Sequence, residues 1–522
     1  MAVWNYENAA HLLKRAAFGG TPEAIEAFLA SYDSVEDAVD DIVNFSVSKK
    51  KPPKGGRDWW QAERKQKAWW LKTMLKTRSP KDALREKMVL FWHNHLCSGT
   101  DKVRDTAYTM AYMPIQNGLF RRYANGNFRD LVRDFNRDPA NLYYLDGILN
   151  RASYDFEHVH VNENFGREVL ELFTTGISQL AADGTDDPTK PCYTEDDVHQ
   201  LARALTGWVH VEKDVGIWQE WAWDGGQYDD GGGTHHPGDP ITIFGVTNNN
   251  FKIGFPGDGV VEGTADDVLD HVLSQLDDDG NHQAAMYVCR KLWTWFAYPA
   301  PAPDLKALLE GFAAIFVASN YEVAPVLAAM FKHDEFYSAR AKTRTVKNPV
   351  DFMVGAFRAL GVKSNGKPVG SSNNELFDLL DEMGMELFEP PNVAGWPGGK
   401  RWITTGTLVA RLEFARRLAE SDHGSSNLRL ETIVPMGSAD TDPNVVLDAI
   451  LVRLGLDDVG GGVGSQGGVA LTATQRAAML NFITDQGTET GLDLSTSDTS
   501  HARHLVRGAI SLALQAAEAQ VF

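Results

Sequence analysis

The sequence predicts a mainly α-helical protein: a large, irregular multi-helix domain with one small β-hairpin/loop insertion. Three observations predict it. Apolar residues recur at helical spacing, as at Ala24, Ile25, Phe28 and Leu29. Helix starts are punctuated by a capping hydroxyl followed by Pro or acidic residues, at Thr21-Pro22-Glu23, Ser79-Pro80 and Thr194-Glu195-Asp196-Asp197. Only residues 209–263 change character, being rich in Gly, Asp, Trp and β-branched residues.

In chain order, the Thr21 helix is followed by a Pro/Gly break at 51–56 and a Trp-rich helix through Trp59, Trp60, Trp69, Trp70 and Leu71. Ser79-Pro80 opens the next, which passes Leu84, Met88, Leu90 and Phe91 and carries His93 near its end, with Gly99 as the stop signal. Further helices are expected at 105–124, 128–135 and 164–175, and from Thr194 through Leu205. Strand-like runs at 209–211, 218–223 and 241–246 form the insertion. Helices resume at 265–276 and 283–296 and alternate with short loops to about 418. A Gly-rich loop at 459–468 separates a helix at 443–454 from a final pair at 473–484 and 501–517. The expected organisation is a helical core domain over 1–420, including the 209–263 insertion, with a C-terminal helical segment over 421–522 packed on it. No solenoid period is present.

Composition bounds the function. The chain is 43% hydrophobic and 10% aromatic, enough for a large buried core. A net charge of −20 argues against nucleic-acid binding, and the Lys49-Lys50-Lys51-Pro52-Pro53-Lys54 run reads as a solvated loop. Cys97, Cys192 and Cys289 have no C-x-x-C spacing and read as buried thiols, with no disulfide framework. No stretch approaches the ~20 apolar residues of a membrane span, and the N-terminus lacks a basic and an apolar region. The expectation is a soluble chain without a membrane span, cytoplasmic as written.

The candidate chemistry lies in two segments. The first is Phe91-Trp92-His93-Asn94-His95. Two residues on a helix are about 200° of rotation, so His93 and His95 converge on one ligand only if the helix ends or distorts there. The second is Asn162-Glu163-Asn164-Phe165-Gly166-Arg167-Glu168, continuing to Glu171. Asn164, Glu168 and Glu171 fall on one helical face, and Glu163 and Arg167 are spaced for an i, i+4 salt bridge. Two carboxylates on an apolar helix need an arginine, a shared proton or a metal ion. Three readings stay open: a divalent metal ion held by some of His93, His95, Glu168 and Glu171; a structural polar network involving Arg85 or Arg167; and metal-free acid–base chemistry with Glu168, His93 and Arg167. His158 and His160, spaced to share one side, join Asn162, Asn164, His235, His236 and Trp396 as candidate binding residues. Trp396 sits in a Gly-rich turn where its ring either stacks on a flat ligand or clamps the loop to the core. His210, His501 and His504 have no carboxylate cluster nearby and read as surface residues. No G-x-S-x-G elbow, Walker loop, H-E-x-x-H or dinucleotide fingerprint appears in usable context.

Seven blocks carry a family resemblance. They are His11-Leu12-Leu13-Lys14-Arg15-Ala16-Ala17-Phe18-Gly19, the Phe91–His95 segment, the 162–176 segment ending Leu172-Phe173-Thr174-Thr175-Gly176, Tyr193-Thr194-Glu195-Asp196-Asp197, Arg203-Ala204-Leu205-Thr206-Gly207-Trp208, Cys289-Arg290-Lys291-Leu292-Trp293 and Leu387-Phe388-Glu389-Pro390-Pro391-Asn392-Val393-Ala394-Gly395-Trp396-Pro397-Gly398-Gly399. In this order the chain resembles the bacterial domain-of-unknown-function (DUF) 1800 family along nearly its whole length. The resemblance implies kinship without a reaction. It also implies that members are often exported and often accompanied by a sulfatase/phosphatase-like protein. The chain departs from the family in reading His235-His236-Pro237-Gly238-Asp239-Pro240-Ile241 where a His-x-x-Gly-x-Lys pattern is expected, so no role for that lysine is carried over.

Two functional readings follow. One is a metal-dependent enzyme, a hydrolase or oxidoreductase for a small or carbohydrate-like substrate, with a His/Glu site between helices. The other is a non-catalytic helical partner or assembly protein acting with the sulfatase/phosphatase-like neighbour.

Overall fold

The computed structural model describes residues 2–48, 50–53, 59–77, 79–103, 112–150, 161–206, 208–212, 219–223, 241–248, 265–364, 376–421, 428–438, 440–458, 464–488, 490–495 and 501–522. Among these, 22 α-helices carry the fold, with three two-stranded antiparallel sheets. The architecture is mainly α, as predicted.

The caps act as the sequence suggests. Thr21 accepts from the Ala24 amide and Ser79 from the Asp82 amide. Thr194 and Asp197 form a reciprocal capping box on the Glu195–Ala204 helix. The Pro80–His95 helix ends earlier than its stop signal: Leu96 already leaves helical geometry, with φ −104° and ψ 76°, three residues before Gly99. Of the helix expected over 105–124, Tyr112–Arg122 is described, and 105–111 lies outside the described residues.

The 164–175 segment is not one regular helix. An α-helical Glu163–Glu168 passes into a π turn over Val169–Thr174. The Thr175 and Gly176 amides both donate to the Leu170 carbonyl, at 2.9 and 3.0 Å. The hydroxyls of Thr174 and Thr175 donate to the carbonyls five residues back, at 2.6 and 3.1 Å. These bonds hold the wider turn that a 3.6-residue period does not anticipate.

The insertion contains two hairpins, Trp208–Glu212 with Gln219–Trp223 and Ile241–Ile243 with Val246–Asn248. A third hairpin, Ser178–Leu180 with Asp186–Pro191, lies before it and was not expected. Its second strand, Asp-Asp-Pro-Thr-Lys-Pro, is mostly exposed and shows no apolar alternation to read.

One contiguous hydrophobic cluster runs from Ala9 to Ala519. The Pro80–His95 helix lies deep within it, packed by Tyr6–Ala17, Val35–Val43, Trp59–Leu75, Tyr112–Arg122 and Gln283–Phe296. The one carboxylate buried on this helix, Glu86, is held by a two-pronged bond from Arg121, at 2.5 and 2.8 Å. The His501–Gln515 helix packs on Thr405–Glu420, Pro443–Leu454 and Ala473–Ile483. From there the chain returns to the core, where the Phe522 amide donates to the Thr345 carbonyl at 3.2 Å. Among the described residues no helix is long and apolar enough to cross a membrane.

Candidate functional site

The motif helix stays regular through His95, so its two histidines meet different surroundings. His93 is enclosed by the rings of Trp70, Phe120, Phe388 and Trp396, with centroids 5.3–5.9 Å away. Neither of its nitrogens has a hydrogen-bond partner, and burial lowers its pKa to about 3. His95 stacks on Phe91 and lies beside Tyr287, with ring centroids at 5.8 and 5.9 Å. Its Nε2 is 3.1 Å from the Phe173 carbonyl. Burial, with the Lys291 cation adding to it, also lowers His95 to about 3. A neutral imidazole facing a carbonyl must donate from Nε2, which leaves Nδ1 as a lone pair, and Nδ1 has no partner.

Glu168 is buried, and burial together with the neighbouring Glu171 raises its pKa to about 7, against the pull of Arg167. The expected Glu163–Arg167 salt bridge does not form. Arg167 instead reaches both oxygens of Glu195, at 2.9 and 2.5 Å, and Glu163 takes His199 at 2.8 Å. The cause is the Glu195–Ala204 helix, which packs directly on Glu163–Glu168 and offers nearer partners. Gly166 permits that approach, since a Cβ there would lie 2.9 Å from the Val198 carbonyl. Asn162 caps the helix and donates to the Asp146 carbonyl at 2.9 Å. Asn164 is exposed. Arg85 pairs with Asp82 and the Ser46 carbonyl, away from these carboxylates.

Tyr287 links the two groups. Its ring packs on His95, while Glu168 and Glu171 both act on its hydroxyl. The His93 pKa is lowered by burial, with neither carboxylate acting on it. Among the described residues no group of three or more His, Cys, Asp or Glu side chains is placed to hold a metal ion. His158, His160, His235 and His236 lie outside the described residues.

The other side of the motif opens on a cavity of about 480 Å³. Asn94, His95, Lys291, Asn348, Asp351 and Trp402 contribute to its lining, with the loop at 391–399 as a wall. Asn94, the middle residue of His-Asn-His, holds that loop: its Oδ1 accepts from the Trp396 amide at 2.7 Å. Gly395 has φ +88°, and a Cβ there would collide with the Asn94 carbonyl. The Trp396 indole donates to the Glu386 carbonyl at 3.1 Å. Trp396 is 5% exposed and caps the His93 cage, so it clamps the loop as well as lining the cavity.

Lys291 is the residue that sequence reasoning missed. Burial, helped by Arg290, lowers its pKa to about 8. The nearby carboxylate, Asp186, is engaged by Arg290 at 2.7 Å, and the Lys291 ammonium lies 5.4 Å from the Tyr287 ring centre. Its signal was an Arg290-Lys291 pair set between buried Cys289 and Leu292 on a mostly apolar helix. Asn348 and Asp351 were also missed. Asn348 caps the Pro349–Ala359 helix and donates to Asp351 at 2.8 Å, and the other Asp351 oxygen lies 2.8 Å from the Lys87 ammonium. They hide as an ordinary Asn-Pro helix start.

A family model described as "Protein of unknown function (DUF1800)" matches residues 11–521. No curated protein and no solved structure matches the chain.

Proposed function

The chain belongs to the DUF1800 family, and from that premise we propose that it is an enzyme of the hydrolytic, acid–base kind whose small polar or carbohydrate-like substrate occupies the cavity behind the 391–399 loop. One observation carries the reading: three sequence blocks far apart in the chain meet on that cavity. They supply Phe91, Asn94 and His95; Lys291; and residues 391–399. A volume of about 480 Å³ falls in the range of small-molecule sites. Lys291, poised near 8, holds or releases a proton close to neutral pH. His95, kept neutral by burial, lines the cavity and is held by the Phe173 carbonyl and the Tyr287 ring. Asn94 and Asn348 offer amides, and the Trp396 and Trp402 rings offer apolar faces.

A second reading keeps a divalent ion at Glu168 and Glu171. It is favoured by the raised pKa of Glu168 beside a second carboxylate. The described donors do not make a full ligand set, so no step is routed through an ion. Metal analysis of the purified chain and of Glu168→Gln tests it: metal retained by the wild type and lost in the variant supports it, and equal content in both contradicts it.

The enzyme reading is tested by incubating the full chain with a cell extract and following small molecules by mass spectrometry. The expected result is a compound consumed by the wild type and at least about 100-fold more slowly by Lys291→Met, a loss typical of removing one acid–base group. No consumption of any compound, with a sulfatase/phosphatase-like protein held in a stoichiometric complex, would establish the non-catalytic partner reading instead.

A further inference from the structure

The chain carries a net charge of −20, yet its interior holds a concentration of positive charge beside the cavity. Arg15, Lys87 and Arg411 are at most 3% exposed, and Lys14, Lys347 and Arg358 are half-buried around them. Their charges act on one another: Lys14, Arg15 and Arg411 all bear on Lys347, and Arg15 and Arg358 on Lys87. Among the described residues, Asp351 opposes this group, and Asp457 opposes Lys14.

Most of these cations have carbonyl partners. Arg15 donates to the Phe296 and Ala297 carbonyls at 2.5 and 2.6 Å, where the Gln283–Phe296 helix ends. Lys87 donates to the Arg15 carbonyl at 2.6 Å, Lys347 to Ala519 at 2.9 Å and Arg411 to Lys347 at 2.8 Å. Such bonds satisfy the donors and suit helix C-termini, but a carbonyl dipole does not cancel a full charge. Among the described residues, six cations therefore face two carboxylate side chains in a desolvated region, an arrangement that costs free energy unless further negative charge completes it.

The geometry says where that anion enters. Asp351 and Phe522 line both the cavity of about 480 Å³ and a smaller one of about 60 Å³. Lys14 and Lys347 line the smaller, and Lys291 and Arg401 the larger. The Phe522 ring between them has Arg15 at 3.9 Å, Lys87 at 5.4 Å and Lys347 at 6.0 Å from its centre. Among the described residues, the larger cavity thus has two cationic side chains and one carboxylate side chain in its lining, with the cationic group behind Asp351 and Phe522.

We propose that the cavity is specific for a small molecule bearing an oxyanion, a carboxylate or a phosphate monoester, whose charged end meets Lys291 and Arg401 while its uncharged body lies along Trp396 and Trp402. The inference rests on the cavity being the functional site and adds the class of its ligand. Lysine acts as a point charge toward such groups, so both oxyanion types suit it. Burial lowers the pKa values of Lys14, Lys87, Lys291 and Lys347 to between about 7 and 8, and neighbouring cations add to it for Lys87, Lys291 and Lys347.

The test is titration calorimetry and thermal unfolding of the full chain with inorganic phosphate, acetate, glucose 6-phosphate and glucose. Saturable binding of the phosphate compounds or of acetate, absent for glucose, is expected. The phosphate and acetate arms separate the two oxyanion sources. Lys291→Gln should weaken the binding about tenfold, Lys291→Arg should retain it, and ligand-free Lys291→Gln should unfold at a temperature no lower than the wild type. Two results overturn the inference: anion binding unchanged in both Lys291→Gln and Arg401→Gln, which places it elsewhere, or glucose binding as tightly as glucose 6-phosphate. The second would leave the cavity standing as the site, whereas loss of the cavity reading shows separately as undiminished substrate consumption by Lys291→Met.

Discussion

His93 and His95 look alike in the sequence, yet they differ in what each nitrogen meets. His93 spends an imidazole on an aromatic cage and leaves both nitrogens without partners. Replacing a buried, unpartnered polar ring by an apolar side chain removes a desolvation cost. His93→Leu should therefore keep the wild-type stability within about 1 kcal/mol or raise it, as read by urea denaturation. His95→Leu loses the bond to the Phe173 carbonyl and should cost about 1 kcal/mol. Glu168 gives a pH signature. Its carboxyl ionises near 4.5 when unfolded and near 7 when folded. Between those values the folded chain holds a proton that the unfolded chain has lost, so stability falls as pH rises through the window and levels off above it. Glu168→Gln should remove that share of the slope and raise stability at pH 8 by about 1–2 kcal/mol, a figure reduced for its partial exposure. Unfolding curves of wild type and variant from pH 4.5 to 8 measure it.

At the scale of elements, much was legible. Capping residues are local, and Thr21, Ser79 and Thr194 each cap the helix their neighbours announce. Thr194→Ala should cost about 1 kcal/mol. What was not legible depends on partners distant in sequence. The π turn after Glu168 is held by Thr174 and Thr175 hydroxyls, and no pattern of apolar spacing encodes it. Glu163 and Arg167 fit a helical salt bridge but find His199 and Glu195, respectively, on a neighbouring helix. The sequence marked the His-Asn-His segment for its histidines, whereas its asparagine makes the contact that sets the loop, 302 residues away. Lys291 stands in a family block but was not singled out, because a lysine beside an arginine on a helix is ordinary until its neighbours are known. The loop supplies its own test. Gly395→Ala puts a side chain where φ is +88° and where the Asn94 carbonyl already stands, so it should destabilise the fold by more than about 2 kcal/mol in urea unfolding.

For the whole molecule, charge is sorted by depth. The acidic excess lies outward, as in Arg167–Glu195 and Lys306–Asp279, where the carboxylate is the more exposed partner. A cationic group remains inside near Asp351. Three of the seven family blocks meet at the border between the two, at the cavity that Lys291 lines. The most direct measurement of this account is the reactivity of the Lys291 amine toward a small acylating reagent, followed by peptide mass spectrometry as pH is varied. The account predicts a midpoint near 8, well below that of exposed lysines, and slower labelling when an oxyanion ligand is bound. A midpoint near the ordinary lysine value of 10.5, or no labelling of the folded chain at any pH, would contradict it.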